Sequence, residues 1–190
     1  TGFDLSGVRF IEPYGILQLL LAGRQYLRLT GNLAVLHGLQ PEVAAYLERM
    51  DFFEAGNYQC DVRELERAGR MMRNSSSRRL LEITEIPARE RDGVRVLNEV
   101  VTRFRKRASG ILQHWHYSEI ITDFVTVISE ICQNVFEHSM DSGYIAMQTY
   151  TKERTIVTQL VIADNSIGIE KSFEESAHRP AGQGARLLYD

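Results

Sequence analysis

Two apolar runs with a short break between them constrain this chain more than any other feature. Gly143 to Thr151 and Thr155 to Ala163 both read as strands, and Lys152-Glu153-Arg154 between them reads as a hairpin turn. The second run is long and β-branched, which suits the middle of a sheet. A helix precedes the pair, from about Ser118 to His138, with Ile120, Ile121, Phe124, Val127, Ile128 and Ile131 on its apolar face. Another helix runs from about Val94 to Leu112 and carries the basic group Arg103, Arg105, Lys106 and Arg107. Leu80 to Ile86 alternates as a strand. The second half of the chain is therefore expected to set two helices against a largely antiparallel sheet.

The first half follows another rhythm. Val8 to Ile11 reads as a short strand. Pro13 sits where a helix starts without losing a needed N–H, and Gly31-Asn32 ends that helix. Leu33 to Leu36 is the next strand, and Pro41 opens a second helix. Strand, helix and strand with short links imply parallel strands and a right-handed crossover. Between the halves lies Arg70-Met71-Met72-Arg73-Asn74-Ser75-Ser76-Ser77-Arg78-Arg79, polar and serine-rich, which reads as a linker. The overall class is α/β, of the α+β sandwich kind.

Composition removes several alternatives. With 190 residues, 44% of them hydrophobic, the chain is long enough to bury a sizeable core. Cys60 and Cys132 make no disulfide framework and lack zinc-site spacing, so a reducing, cytoplasmic setting is expected. The apolar run Ile16 to Ala22 is broken by Gln18 and is too short to span a bilayer. A net charge of −3 argues against nucleic acid as the partner.

The chemistry concentrates in Ser129-Glu130-Ile131-Cys132-Gln133-Asn134-Val135-Phe136-Glu137-His138. Glu130, Asn134 and His138 are four apart and project from one helical face. Carboxylate and carboxamide oxygens suit Mg²⁺, which keeps several waters. A Glu beside that ion can polarise an attacking water. On spacing alone, the solvent face of an amphipathic helix is the favoured explanation of the row, because polar residues four apart are common. The second feature is the strand that runs into Ala163-Asp164-Asn165-Ser166-Ile167-Gly168. An acid at a strand end can accept a hydrogen bond from a ligand, and small residues after it let a flat ligand approach the backbone. Asp-Asn-Ser is also ordinary turn chemistry. The third feature is Gly182-Gln183-Gly184, whose N–H groups can cradle phosphate.

Taken in this order, the three resemble the GHKL superfamily of ATP-binding domains (the Bergerat fold), over roughly Leu80 to the C-terminus. Asn134-x-x-Glu137-His138 looks most like the histidine kinase and anti-sigma branch. The family's Asp-x-Gly-x-Gly motif reads here as Asp164-Asn165-Ser166-Ile167-Gly168, with Ser166 in place of the first glycine. The resemblance implies that Asp164 accepts the adenine amino group and that Ser166 and Gly168 lie beside the base. It implies Asn134 and Glu130 at Mg²⁺, with Glu130 as general base, and His138 near phosphate. Gly182 and Gly184 would belong to the lid over the phosphates. The cofactors implied are ATP and Mg²⁺, with hydrolysis or γ-phosphoryl transfer to a partner's side chain as the chemistry.

Asp4-Leu5-Ser6-Gly7-Val8-Arg9-Phe10-Ile11-Glu12-Pro13-Tyr14-Gly15, followed by helix, strand and the Tyr46 to Phe53 helix end, resembles a STAS domain. The junction where that family can carry a phosphorylated Ser or Thr is Glu12-Pro13-Tyr14-Gly15, so the resemblance implies no such switch. The expected organisation is a STAS-like segment over 1–57, a linker over 58–79 and a two-layer GHKL-type domain over 80–190, ending before the family's final strands. The expected function is an ATP-binding regulatory protein in a partner-switching pathway, with a protein partner, no membrane span, and a homodimer allowed by the open sheet edge. The rival expectation is a degenerate GHKL scaffold that binds a partner without ATP turnover.

Weaker signals have plainer readings. His114-Trp115-His116 is expected to be a helix end with exposed His, and Trp115 a packing anchor. Arg63, Arg67, Arg70 and Arg73 read as a solvated face, and Cys132 as a buried small hydrophobe.

Overall fold

In the computed structural model, residues 2–56, 58–60, 77–88, 93–116, 118–139 and 141–165 are described. In order these form β1 (Gly2–Asp4), α1 (Pro13–Thr30), β2 (Ala34–His37), α2 (Pro41–Arg49), α3 (Phe52–Ala55), β3 (Tyr58–Cys60) and β4 (Leu80–Ile86). There follow α4 (Gly93–Trp115), α5 (Ser118–His138), β5 (Gly143–Lys152) and β6 (Thr155–Ala163). The class is mixed α and β, with helices packed around two small sheets.

The first sheet is parallel, in the order β1-β2-β3. Pro13 begins α1, and Gly31 closes it with φ 71°, its N–H bonded to the Leu27 carbonyl. Two strands differ from the sequence reading. Val8 to Ile11 is not a strand. Ser6 N–H bonds to Asp4 Oδ1 at 2.9 Å and Val8 N–H to the Leu5 carbonyl at 2.9 Å, so the chain turns there. The strand lies earlier, at Gly2–Asp4, in register with Val35 to His37. Tyr58–Cys60 pairs with Ala34 to Leu36, although it opens the segment read as linker. Tyr58 is drawn in because its ring stacks on Phe52 at 5.5 Å and its hydroxyl bonds to the Leu19 carbonyl.

The second sheet is antiparallel, in the order β4-β5-β6. Among the described residues β5 is central and β6 is an edge, contrary to the position its β-branched sequence implies. The β5–β6 turn is the two-residue Glu153-Arg154, with φ of 49° and 70°, as a type I′ hairpin requires. Both faces of β4 and β5 carry buried side chains. Ile83, Tyr144 and Ala146 join the core formed by α1, α2 and α3. Leu81, Ile86, Ile145 and Met147 join the core under α4 and α5.

One irregularity in β4 serves both cores. Leu81 pairs with Met147 and Thr84 with Ile145, so Glu82 and Ile83 together oppose Ala146. This is a β-bulge, which shifts the face that successive residues present. It turns Ile83 toward α1 and frees its N–H to bond to the Met50 carbonyl at 3.1 Å.

The apolar surface of α5 is wider than its core contact. Ile121, Val125, Ile128, Cys132, Val135 and Phe136 are buried, whereas Ile120, Val127 and Ile131, expected on the core face, are exposed. Helical periodicity alone merges these two adjacent rows.

Candidate functional site

The site assembled from the sequence lies at the C-terminal end of α5 and the end of β6. Glu130, Asn134 and His138 share one row of α5, and all three are exposed. Behind them Cys132, Val135 and Phe136 anchor the helix in the core. Burial pushes the Cys132 thiol up to about 11, so it is protonated at neutral pH and acts as an apolar group. Beside the row, Gln133 donates to Glu137 Oε1 at 2.6 Å and holds that carboxylate along the helix.

Asp164 follows Ala163 directly, and Ala163 is held in register opposite Tyr144. The half-buried Asp164 comes close to α5 through Gly143. A Cβ placed on Gly143 would lie 2.4 Å from Val135 Cγ1, 3.2 Å from the Ala163 carbonyl oxygen and 3.4 Å from Asp164 Cβ. Without a side chain at Gly143, the Val135 side chain of α5 packs against the strand end at Ala163 and Asp164, so the helical turn that includes Asn134 lies near the strand end that bears Asp164. Gly143 escaped the sequence reading because a close approach between distant segments leaves no local pattern.

The loop between α5 and β5 is braced from beneath, again by a residue not singled out from sequence. Arg24 of α1 donates to the Tyr144 hydroxyl and, at 2.6 Å, to Asp141 Oδ1. Glu85 stands 3.6 Å from the same guanidinium, which lies 5.3 Å from the Tyr144 ring centre. Burial opposes the Arg24 charge, yet Tyr144, Asp141 and Glu85 hold its pKa above the ordinary value. Asp141 Oδ1 also accepts from Ser142 N–H at 2.8 Å, so the turn into Gly143 is fixed.

Ser166, Gly168, Gly182 and Gly184 lie outside the described residues, as do Arg63, Arg67, Arg70 and Arg73. Glu130 and Asn134 offer exposed oxygen donors of the kind Mg²⁺ accepts alongside water and phosphate. Among the described residues no group of three or more His, Cys, Asp or Glu could hold a metal by itself. An open groove between α2 and the β4–β5 edge, lined by Tyr46, Arg49, Arg79 and Gln148, is separate from this row.

The helix end at Trp115 is more tied down than expected. Trp115 Nε1–H donates to the Arg78 carbonyl at 2.6 Å, and the Arg79 guanidinium covers its ring at 4.8 Å. His116 is half-buried rather than exposed, because its ring reaches Thr158 Oγ1 of β6 at 2.8 Å. No helix among the described residues is long and apolar enough to cross a membrane. No family model, curated protein or solved structure matches the chain.

Proposed function

We propose that this chain is an ATP-binding regulatory protein of the GHKL class, with a STAS-like first half. The observation that carries the reading is the meeting of α5 and β6 at Gly143, which brings the Asn134 turn beside Asp164. The reading gives Asp164 the adenine amino group. Asn134 and Glu130 hold Mg²⁺ on the exposed row, His138 lies toward the phosphates, and Gly182 and Gly184 belong to a lid. ATP supplies a γ-phosphoryl group for hydrolysis or for transfer to a protein partner. The contribution of the chain is then to position and neutralise charge, which is most of what phosphoryl transfer needs from a protein. Glu130, exposed beside Asn134, is the group suited to orient a water or to accept a proton.

Thermal unfolding with and without Mg²⁺-ATP tests this. Ligand at about 100 times its dissociation constant stabilises the native state by roughly 2.7 kcal/mol. The expected outcome is a rise in Tm that Asp164→Ala abolishes and that Asn134→Ala reduces when Mg²⁺ is present. A folded wild-type protein whose Tm does not move would overturn the nucleotide reading. That result would leave the scaffold reading, which the side chain of Ser166 in place of a glycine favours.

A further inference from the structure

The exposed row of α5 has the spacing of a helix–helix seam. Ile120, Phe124, Val127 and Ile131 follow one another by four, three and four residues, the a/d pattern by which two helices interlock. Ile120 is 56% exposed, Val127 54% and Ile131 39%, while Phe124 is half-buried against the core. The row next to it is buried and already holds α5 to the sheet, so among the described residues Ile120, Val127 and Ile131 are surplus to the packing. Aliphatic groups left in water along one line mark a protein-binding surface more often than isolated ones do.

The border of the seam indicates what fits it. Asp123, Glu130 and Glu137 repeat every seven residues along its open side, and all three are exposed. With Glu119, α5 carries four acidic residues and no Lys or Arg. A second copy would bring two such helices together with no cation on either, which like-charge repulsion opposes. We propose that this surface docks a basic amphipathic helix from another protein. Leucine-like side chains of that helix would enter the Ile120–Ile131 seam, and its Lys or Arg would face Asp123 and Glu137, which the proposed nucleotide site does not use. The inference does not rest on nucleotide binding. The seam runs directly into Asn134 and His138 along the same row, so a docked helix would end beside the proposed nucleotide site.

Two helix-forming peptides of roughly 20 residues, each with leucine at the a and d positions, test the proposal. One carries Lys at the flanking positions and the other Glu, and fluorescence anisotropy measures the binding of each to the whole chain. The Lys peptide should bind saturably, and the Glu peptide about tenfold more weakly or worse. Val127→Asp should cost the Lys peptide about tenfold, as removal of a seam anchor does. Asp123→Lys should weaken it and flatten its dependence on salt. Both substituted side chains are exposed, and an unchanged circular dichroism spectrum establishes that each variant is folded. Absence of saturable binding, equal binding of the two peptides, or full binding by Val127→Asp would overturn the proposal. Self-association of the wild type that Val127→Asp dissolves in sedimentation would overturn it too, by assigning the seam to a second copy.

Discussion

The Arg49 guanidinium donates to the Glu82 carboxylate at 2.7 Å, and this largely buried pair joins the end of α2 to the bulge of β4. Arg107 of α4 approaches the other oxygen of Glu82 at 3.9 Å, so one carboxylate lies between helices from both halves of the chain. Truncating one partner of a buried pair leaves a poorly compensated charge. Glu82→Ala should therefore destabilise the protein by about 3 kcal/mol. Arg49→Met with Glu82→Leu should recover only part of that loss, since the apolar pair avoids one desolvation cost but leaves Arg107 without its carboxylate. Urea unfolding of the three proteins measures both values.

The Glu153-Arg154 turn can be improved. Both residues hold positive φ, which L side chains with a Cβ adopt at a cost of roughly 1–2 kcal/mol each. Asn-Gly is the pair that a type I′ turn prefers. Glu153→Asn with Arg154→Gly should raise stability by about 1 kcal/mol, read as a higher Tm with an unchanged spectrum.

Gly143 should resist even the smallest side chain. Its Cβ would meet Val135 Cγ1 at 2.4 Å, so Gly143→Ala should cost about 1–3 kcal/mol, as overpacking does. Adding Val135→Ala removes the obstructing methyl groups and should return part of that loss. If the nucleotide reading holds, Gly143→Ala should also lower the Tm rise given by Mg²⁺-ATP, because it pushes the Asn134 turn away from Asp164.

Stability should fall in alkali. Burial raises the Cys132 thiol to about 11 from an ordinary 9.0, and it raises Tyr46 and Tyr144 above 10.0. For groups raised on folding, the unfolded chain releases its protons first. Their contribution is thus complete below about pH 9 and is lost as pH climbs through the folded values. For Cys132 the loss is about 1 kcal/mol for each pH unit between 9.0 and 11. Urea titrations from neutral pH upward should show the decline, and Cys132→Val should delay its onset.

The longer elements could be read from the chain because each states its own period. β4, α5 and β6 begin and end where their sequence patterns do, since seven to twenty-one residues repeat a facing preference often enough to be unambiguous. β1 and β3 are three residues long and exist only because β2 pairs with them, so nothing local announces them. Which of the two apolar rows on α5 enters the core was hidden for another reason. The rows are adjacent, and the choice is made by α4 and the sheet. At the candidate site the helical period sets Glu130, Asn134 and His138 in one row. The convergence at Gly143 and the Arg24 brace join residues far apart in sequence, and only the folded chain shows them.

A sheet whose central strand is buried on both sides has no outside along that strand. Ile83, Tyr144 and Ala146 look into the first half of the chain, while Ile145 and Met147, their neighbours on the same strands, look away from it. The first half is thus the cover of a core whose floor the second half supplies. Were the polypeptide divided between Cys60 and Ser77, the first core would draw residues from both pieces. The two pieces made separately should each be sticky and poorly folded, and when mixed they should reassemble as a split protein does.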